Sequence, residues 1–337
     1  MRYRLLGQSG LRVSTFCLGT MTFGTADWGA AYDEAAAIYG HFRDTGGNFL
    51  DTANEIYAEG RSEEIIARLV CGHRDELVIA TKYTDHPGGG DPNVAGNHRK
   101  SLRRSLERSL RRLGTDYIDL LWVHAWDFTT APQEVMRALD DMVREGKILH
   151  IGISNTPAWL IARCNTLAEL RGWSSFAAVQ VEYSLAERSA EIETLPMAQA
   201  LGLSVLAWSP LAMGVLTGKY LRPSGEARRL DQVNYRSADG KAAEVAEMVA
   251  TIAGKRGCSP AAVALAWLLA QANVSPVIGA RTVAQLKDCL GAQELMLEAG
   301  DIQALLAVSE PALTAPHTAI QGGSAIIYGG FRDQIDI

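Results

Sequence analysis

Five cysteines in 337 residues (Cys17, Cys71, Cys164, Cys258 and Cys289) stand far apart, with no C-x-x-C pair and no His/Cys cluster. That scatter excludes a disulfide framework and a zinc site, so no metal is expected and the thiols read as reduced, buried fillers. No run approaches the ~18 apolar residues of a membrane span, and the opening Met1-Arg2-Tyr3-Arg4-Leu5-Leu6-Gly7 turns polar too soon for a signal peptide. No membrane association is expected, and the cytoplasm is the default compartment. A basic excess is missing too: 32 Lys and Arg against 38 Asp and Glu leave a formal charge of -6. Such a chain has no field for gathering phosphodiester backbones, which excludes nucleic acid but not a small anionic ligand such as a dinucleotide. Walker, Gly-x-Ser-x-Gly and His-Glu-x-x-His patterns are all absent. Nucleotide hydrolysis, acyl transfer and zinc proteolysis therefore lack support, and the absence of Gly-x-Gly-x-x-Gly disfavours a doubly wound dinucleotide domain.

What is present is a rhythm. Hydrophobic residues make up 47% of the chain, enough to bury a large core, and short apolar runs alternate with longer segments of helical period throughout. Eight runs read as strands buried on both faces: 15–18, 48–51, 77–82, 118–123, 148–153, 177–182, 204–208 and 275–278. The segments between them predict helices at 32–42, 62–69, 100–113, 132–145, 157–170, 191–200, 242–256 with 260–271, and 283–290. Ser62, Thr156-Pro157 and Ser259-Pro260 read as helix starts, and Gly114 and Gly146 as stops. Eight βα units predict a closed (β/α)8 TIM barrel of the α/β class, one domain over 1–337. A β-hairpin over 1–14 precedes the barrel and a tail over 312–337 follows it. The Gly/Pro/Asn-rich stretch 85–97 and the stretch 218–240 both follow strands, where such barrels build their sites.

Reactive side chains collect at strand ends on this reading. Asp51 closes the second strand, Lys82 the third, and His124 follows the fourth. A charge ending an apolar strand must be solvated or paired in the barrel mouth, because burying it alone is costly. Tyr57 lies in the loop after Asp51, and a lysine ammonium nearby favours its phenolate over a pKa that starts near ~10. Asp51 would hold Lys82, Lys82 would tune Tyr57, Tyr57 would protonate a developing alkoxide, and His124 would orient the carbonyl. Taken singly, each residue has a structural explanation, an ion pair, a loop aromatic or a core histidine; only their joint placement points to catalysis.

These residues, with motifs running from Gly19-Thr20-Met21 to Leu290-Gly291-Ala292, resemble the aldo-keto reductases. Asp51-Thr52-Ala53 followed by Tyr57-Ala58-Glu59-Gly60-Arg61-Ser62-Glu63 is similar to the family's signature, as are Ala80-Thr81-Lys82 and Leu121-Trp122-Val123-His124. The resemblance implies a catalytic tetrad of Asp51, Tyr57, Lys82 and His124, with Tyr57 as general acid. The spacing from Asp51 to Tyr57 is one residue longer than the family pattern, as though Glu55 or Ile56 were inserted, so the loop must bulge.

For the cofactor, the resemblance implies NADPH, with NADH the less favoured choice. Gly19, Thr20, Met21 and Asp51 would border it, Ser154, Asn155 and Gln180 would fix the carboxamide, and Trp208 would stack on the ring. Trp208-Ser209-Pro210-Leu211 matches a cofactor segment of the family, and Leu211, Gly214, Leu216, Thr217, Gly218 and Lys219 resemble the segment over the pyrophosphate, where amides and a lysine suit an anion. Gly279, Ala280, Arg281, Gln285 and Cys289 resemble the adenosine end, Arg281 suiting a 2′-phosphate. Cys289 stands where the family pattern has an asparagine, and Ile278 where it has a proline. Trp28, Tyr57, Tyr83, His124 and Trp126 would bound the substrate, with Met21 and Phe128 nearby. The expected activity is reduction of aldehyde, ketone or sugar-like carbonyls, reversible toward alcohol oxidation. The alternative is a cofactor-binding regulatory subunit like those of potassium channels, which share the barrel and tetrad. The sequence carries no sign of an oligomeric state.

Overall fold

The computed structural model describes all residues except Asp27, Pro87, 222–229, 231–239, 336 and 337, and gives only the backbone of 324, 325 and 333. A hairpin of β1 (Tyr3–Leu5) and β2 (Arg12–Ser14) precedes eight parallel strands. These are β3 (Cys17–Gly19), β4 (Phe49–Asp51), β5 (Val78–Tyr83), β6 (Ile118–Val123), β7 (Ile148–Ser154), β8 (Phe176–Glu182), β9 (Ser204–Trp208) and β10 (Val274–Ile278). They close in chain order, β10 pairing with β3, into a single barrel surrounded by helices. The (β/α)8 expectation holds, with strand ends displaced by at most two residues.

Because side chains alternate across a strand, each barrel strand feeds two cores. Cys17, Phe49, Val78, Ala80, Leu120, Trp122, Ala178 and Leu206 fill the interior, and Leu6 and Val13 of the hairpin join them. Leu18, Leu50, Ile79, Leu121, Val123, Val179 and Val205 point outward, under the helices. The hairpin caps the barrel's N-terminal end. Gly7 lies there with φ +57°, where a Cβ would meet the Ala177 carbonyl oxygen at 2.2 Å, and its N–H donates to Ser204 Oγ at 2.7 Å. With one end closed, the strand C-termini are the open end.

Helices α1 (Tyr32–Asp44), α2 (Arg61–Leu69), α3 (Arg99–Leu113), α4 (Pro132–Arg144), α5 (Ala158–Arg171) and α6 (Thr194–Ala200) occupy the predicted segments within three residues. So do α7 (Lys241–Arg256), α8 (Pro260–Leu269) and α9 (Val283–Gly291). Ser259 caps α8 as expected, its Oγ accepting from Ala262 N–H. Two other starts differ. The cap of α2 is Gly60, while Ser62 is buried inside the first turn, its hydroxyl donating to the Thr20 carbonyl. Thr156 turns its hydroxyl back to the Ser154 carbonyl, and α5 begins after Pro157. Cys71 is exposed and Cys258 half-buried, so only Cys17, Cys164 and Cys289 are buried fillers. Helices Ala299–Val308 and His317–Gly322 lie beyond the expected set. Most of the 218–240 stretch lies outside the described residues, as does Pro87 in the 85–97 loop.

The open end carries backbone strain. Thr84, Asn155 and Ser209 follow β5, β7 and β9 directly with φ of 115°, 43° and 54°, and Ala58 and Glu59 in the loop after β4 have φ of 51° and 59°. Non-glycine residues in this region cost on the order of 1–3 kcal/mol each and persist where the surroundings over-determine them, as functional sites do.

Candidate active site

Strand parity decides which chemistry reaches the interior. Asp51, Lys82, Gln180 and Trp208 share the inward phase of Phe49, Ala80, Ala178 and Leu206. Lys82 is fully buried, its Nζ donating to Asp51 Oδ2 at 2.5 Å and to the Thr52 carbonyl at 2.7 Å. Asp51 is 2% exposed and uses its other oxygen to accept from Trp122 Nε1 at 2.9 Å and Gln180 Nε2 at 3.1 Å. The Trp122 indole fits because Gly152 faces it, where a Cβ would stand 2.4 Å from the ring. Burial works to strip the Lys82 proton, but the charge and hydrogen bond of the Asp51 carboxylate, with the negative charge of Tyr57 when ionised, outweigh it and hold Lys82 above the ordinary lysine range. The ammonium is thus a fixed positive charge at the floor of the mouth.

Tyr57 stands over that charge, its ring centre 5.0 Å from Lys82 Nζ. The loop that carries it turns tightly: Asn54 accepts from Tyr57 N–H through its carbonyl and from Ile56 N–H through Oδ1. Tyr57 lies edge-on to His124, ring centres 6.5 Å apart at 86°. His124 Nδ1 lies 2.8 Å from Asp85 Oδ2, off the direction of a hydrogen bond. The longer spacing before Tyr57 is absorbed in this turn, with Glu55 directed to α3 and Ile56 to the cavity wall.

A cavity of about 690 Å³ opens above these residues. Asp51, Tyr57 and His124 line it, with Trp28 on the wall. Of the expected cofactor residues, Gly19, Met21, Asn155, Gln180, Trp208 and the stretch Ser209-Pro210-Leu211 line it too, as do Gly214 and Lys219. At its far end stand Gly279, Arg281, Gln285 and Cys289. Lys219 lies across Gly214, where a Cβ would meet its Cε at 2.5 Å. Gln285 Oε1 accepts from the Arg281 N–H at 2.9 Å, which fixes the backbone and leaves the guanidinium without an ion-pair partner among the described residues.

Five expected cofactor residues do not line the cavity. Thr20 is buried beneath it, its hydroxyl donating to the Asp51 carbonyl. Leu216 and Ala280 belong to the outer core, and Gly218 caps the 3₁₀ turn Ala212–Thr217 with φ +77°. Ser154 is fully buried, paired in register with Gln180 on β8, and its Oγ has no hydrogen-bond partner. Such a hydroxyl is rare in a folded interior and marks a place where a ligand can supply the missing bond. Among the expected substrate residues, Tyr83 and Trp126 fall elsewhere. β5 runs one residue past Lys82, so Tyr83 takes the opposite phase and is buried in the outer core; Trp126 joins the same core. Phe128 is 68% exposed. The cavity also has walls that the sequence reading missed: Thr22, Ile56, Met213, Ala261 and Asp288. Thr22 and Ile56 adjoin recognised motifs, but Ala261 comes from α8 and carries no local signal.

Among the described residues no group of three or more His, Cys, Asp or Glu side chains is placed to hold a metal, and no helix is long and apolar enough to cross a membrane.

Comparison with known proteins gives the same chemistry a lineage. A model of the Aldo/keto reductase family matches residues 15–310. The chain is 42% identical over 294 residues to a norsolorinic acid reductase of Emericella nidulans, covering 83% of this chain and 74% of that one. It is 39% identical over 314 residues to the uncharacterized oxidoreductase YrpG of Bacillus subtilis, with 88% and 93% covered. An aryl-alcohol dehydrogenase of Pestalotiopsis microspora is 36% identical over 338 residues, with 96% and 86% covered. With its closed eight-stranded barrel and a family match across most of its length, the chain belongs to the aldo/keto reductase family and is an oxidoreductase.

Proposed function

We propose that this oxidoreductase is a single-domain, NADPH-dependent reductase of small-molecule carbonyls, with Tyr57 as the general acid. The observation that carries the reading is the buried Lys82 ammonium, locked by Asp51 and Thr52 with its Nζ 5.0 Å from the Tyr57 ring centre, beneath a ligand-sized cavity that Asp51 and Tyr57 line. A positive charge there favours loss of the phenolic proton, so Tyr57 can deliver it to a substrate oxygen and rest as phenolate beside Lys82. Asp51 keeps Lys82 in place and charged. His124 stands edge-on to the Tyr57 ring on the cavity wall, where it can orient the carbonyl.

The residues around the cavity fit a nicotinamide dinucleotide. Its reduced form, when bound, supplies the hydride for the carbonyl carbon. Ser154 Oγ, buried and unpaired, and the Gln180 amide suit a carboxamide, and the Trp208 indole offers a flat face. Trp208 is itself oriented, its Nε1 donating to Asn155 Oδ1 at 3.2 Å. Lys219 over Gly214 suits a pyrophosphate, and Arg281 a 2′-phosphate. The substrate walls are apolar: Met21, Trp28 and Ile56. They suit a flat hydrophobic carbonyl, in keeping with relatives named for norsolorinic acid and for aryl alcohols.

The test is consumption of NADPH, followed by absorbance, against a panel of aryl and alkyl aldehydes and ketones. Turnover of aryl carbonyls is expected; silence across the panel would favour a regulatory cofactor-binding role instead. For the cofactor, Arg281→Gln should weaken NADPH binding by roughly 10- to 100-fold, the loss of one charge-assisted contact, and leave NADH binding unchanged. Quenching of tryptophan fluorescence measures both. An equal loss for the two cofactors would remove Arg281 from phosphate recognition.

A further inference from the structure

Outside the barrel mouth, on the far side of the Tyr57 loop from the cavity, two arginines of α3 and two glutamates form a cluster. Arg112 Nη1 donates to Glu55 Oε1 at 2.8 Å, and Arg112 Nε donates to Glu63 Oε2 at 2.7 Å. Arg108 approaches Glu55 Oε1 at 3.4 Å. Glu63 is fully buried on α2, and its other oxygen accepts from Thr81 Oγ1 at 2.7 Å. Thr81 directly precedes Lys82 on β5, facing outward where Lys82 faces in. Arg112 also packs on Gly60, where a Cβ would meet its Cδ at 2.8 Å.

The loop between these anchors is short and strained. Glu55 lies two residues before Tyr57 and Gly60 three after it, and Ala58, Glu59 and Gly60 have consecutive φ of 51°, 59° and 91°. Three successive residues in the left-handed region do not hold themselves, least of all two that carry a Cβ. One guanidinium grips the loop on both sides of Tyr57, and through Glu63 and Thr81 it also grips the strand that carries Lys82. Arginine suits this because its planar fork satisfies two carboxylates from one rigid group.

We infer that Arg112 is a positioning residue: by clamping Glu55, Gly60 and Glu63 it sets where the Tyr57 phenol stands relative to Lys82. The inference rests on Tyr57 being the acid. The extra residue of this loop is thereby given a place, because Glu55 uses it to reach α3 while Tyr57 keeps its stand over the ammonium.

A merely structural cluster would lower stability without acting through Tyr57, so the test is a double-mutant cycle. Glu55→Gln removes the charge and keeps the size; Arg112→Lys keeps the charge and loses the fork. Each should lower kcat by roughly 10- to 100-fold, the scale of a small misplacement at a reacting group, with KM and cofactor affinity within about twofold. In a Tyr57→Phe background, with residual rates read in single turnovers, the same substitutions should have no further effect. Unchanged kcat in both single variants, or the same fold-loss in both backgrounds, would overturn the inference. If Tyr57→Phe loses turnover while the clamp variants do not, the inference alone falls. If Tyr57→Phe keeps most of its turnover, the acid assignment falls and takes the inference with it.

Discussion

Replacing the Tyr57 hydroxyl with hydrogen, Tyr57→Phe, is expected to lower kcat/KM for carbonyl reduction by about 10²–10⁴-fold, the usual share of a positioned acid. The argument starts from Lys82. Its ammonium has two fixed acceptors, Asp51 Oδ2 and the Thr52 carbonyl, and the Tyr57 ring above it. The substitution keeps that ring, its edge-on contact with His124 and the cavity wall, and removes only the proton that the substrate oxygen would take. Cofactor affinity should therefore stay within about twofold, because Ser154, Gln180, Trp208 and Arg281 are untouched. Steady-state kinetics with an aryl aldehyde, together with fluorescence titration of the cofactor, measures the split. A variant that kept most of its turnover would pass the proton to another donor, and His124 would be the next to replace.

The barrel and the floor of its site were legible because both rest on local rules. Eight apolar runs separated by helical segments admit few closures, and charges ending such runs must gather at the mouth. Asp51, Lys82 and His124 follow from that logic alone. Tyr83 shows the rule applied one residue short: its parity is opposite to that of Lys82, and extending β5 by one residue would have sent it outward. Ser62 and Thr156 read as caps from composition, but each hydroxyl is taken by a neighbouring carbonyl that only the folded loops provide. Ala261 was beyond sequence reading because α8 reaches the cavity through packing, without a motif, whereas Asp288 directly precedes Cys289 of the adenosine-end motif and was passed over. The irregular loop before Tyr57 was visible as a spacing, but its anchor, Arg112, lies 57 residues from Glu55.

Removing one partner of the floor pair should separate stability from chemistry. Lys82→Met leaves the Asp51 carboxylate, 2% exposed, with the Trp122 and Gln180 donors but no counter-charge, a change expected to cost about 3–5 kcal/mol. Adding Asp51→Asn removes the orphaned charge, and most of that loss should return, because a buried ion pair contributes little beyond its own desolvation. Turnover should not return, since neither single nor double variant places a positive charge beneath Tyr57. Urea unfolding of the three proteins, with kcat on the same preparations, tests both halves. The pH dependence gives a further check on the pair. Lys82 is held above its ordinary range in the folded state, so its stabilisation is complete below the unfolded lysine value near ~10.4 and fades as pH climbs through the folded one. The native protein should lose that increment only in strong alkali, and Lys82→Met should show no such loss. A double variant as unstable as Lys82→Met would mean that the pair itself holds the barrel together, and one that recovered turnover would mean that the chemistry does not need the Lys82 charge.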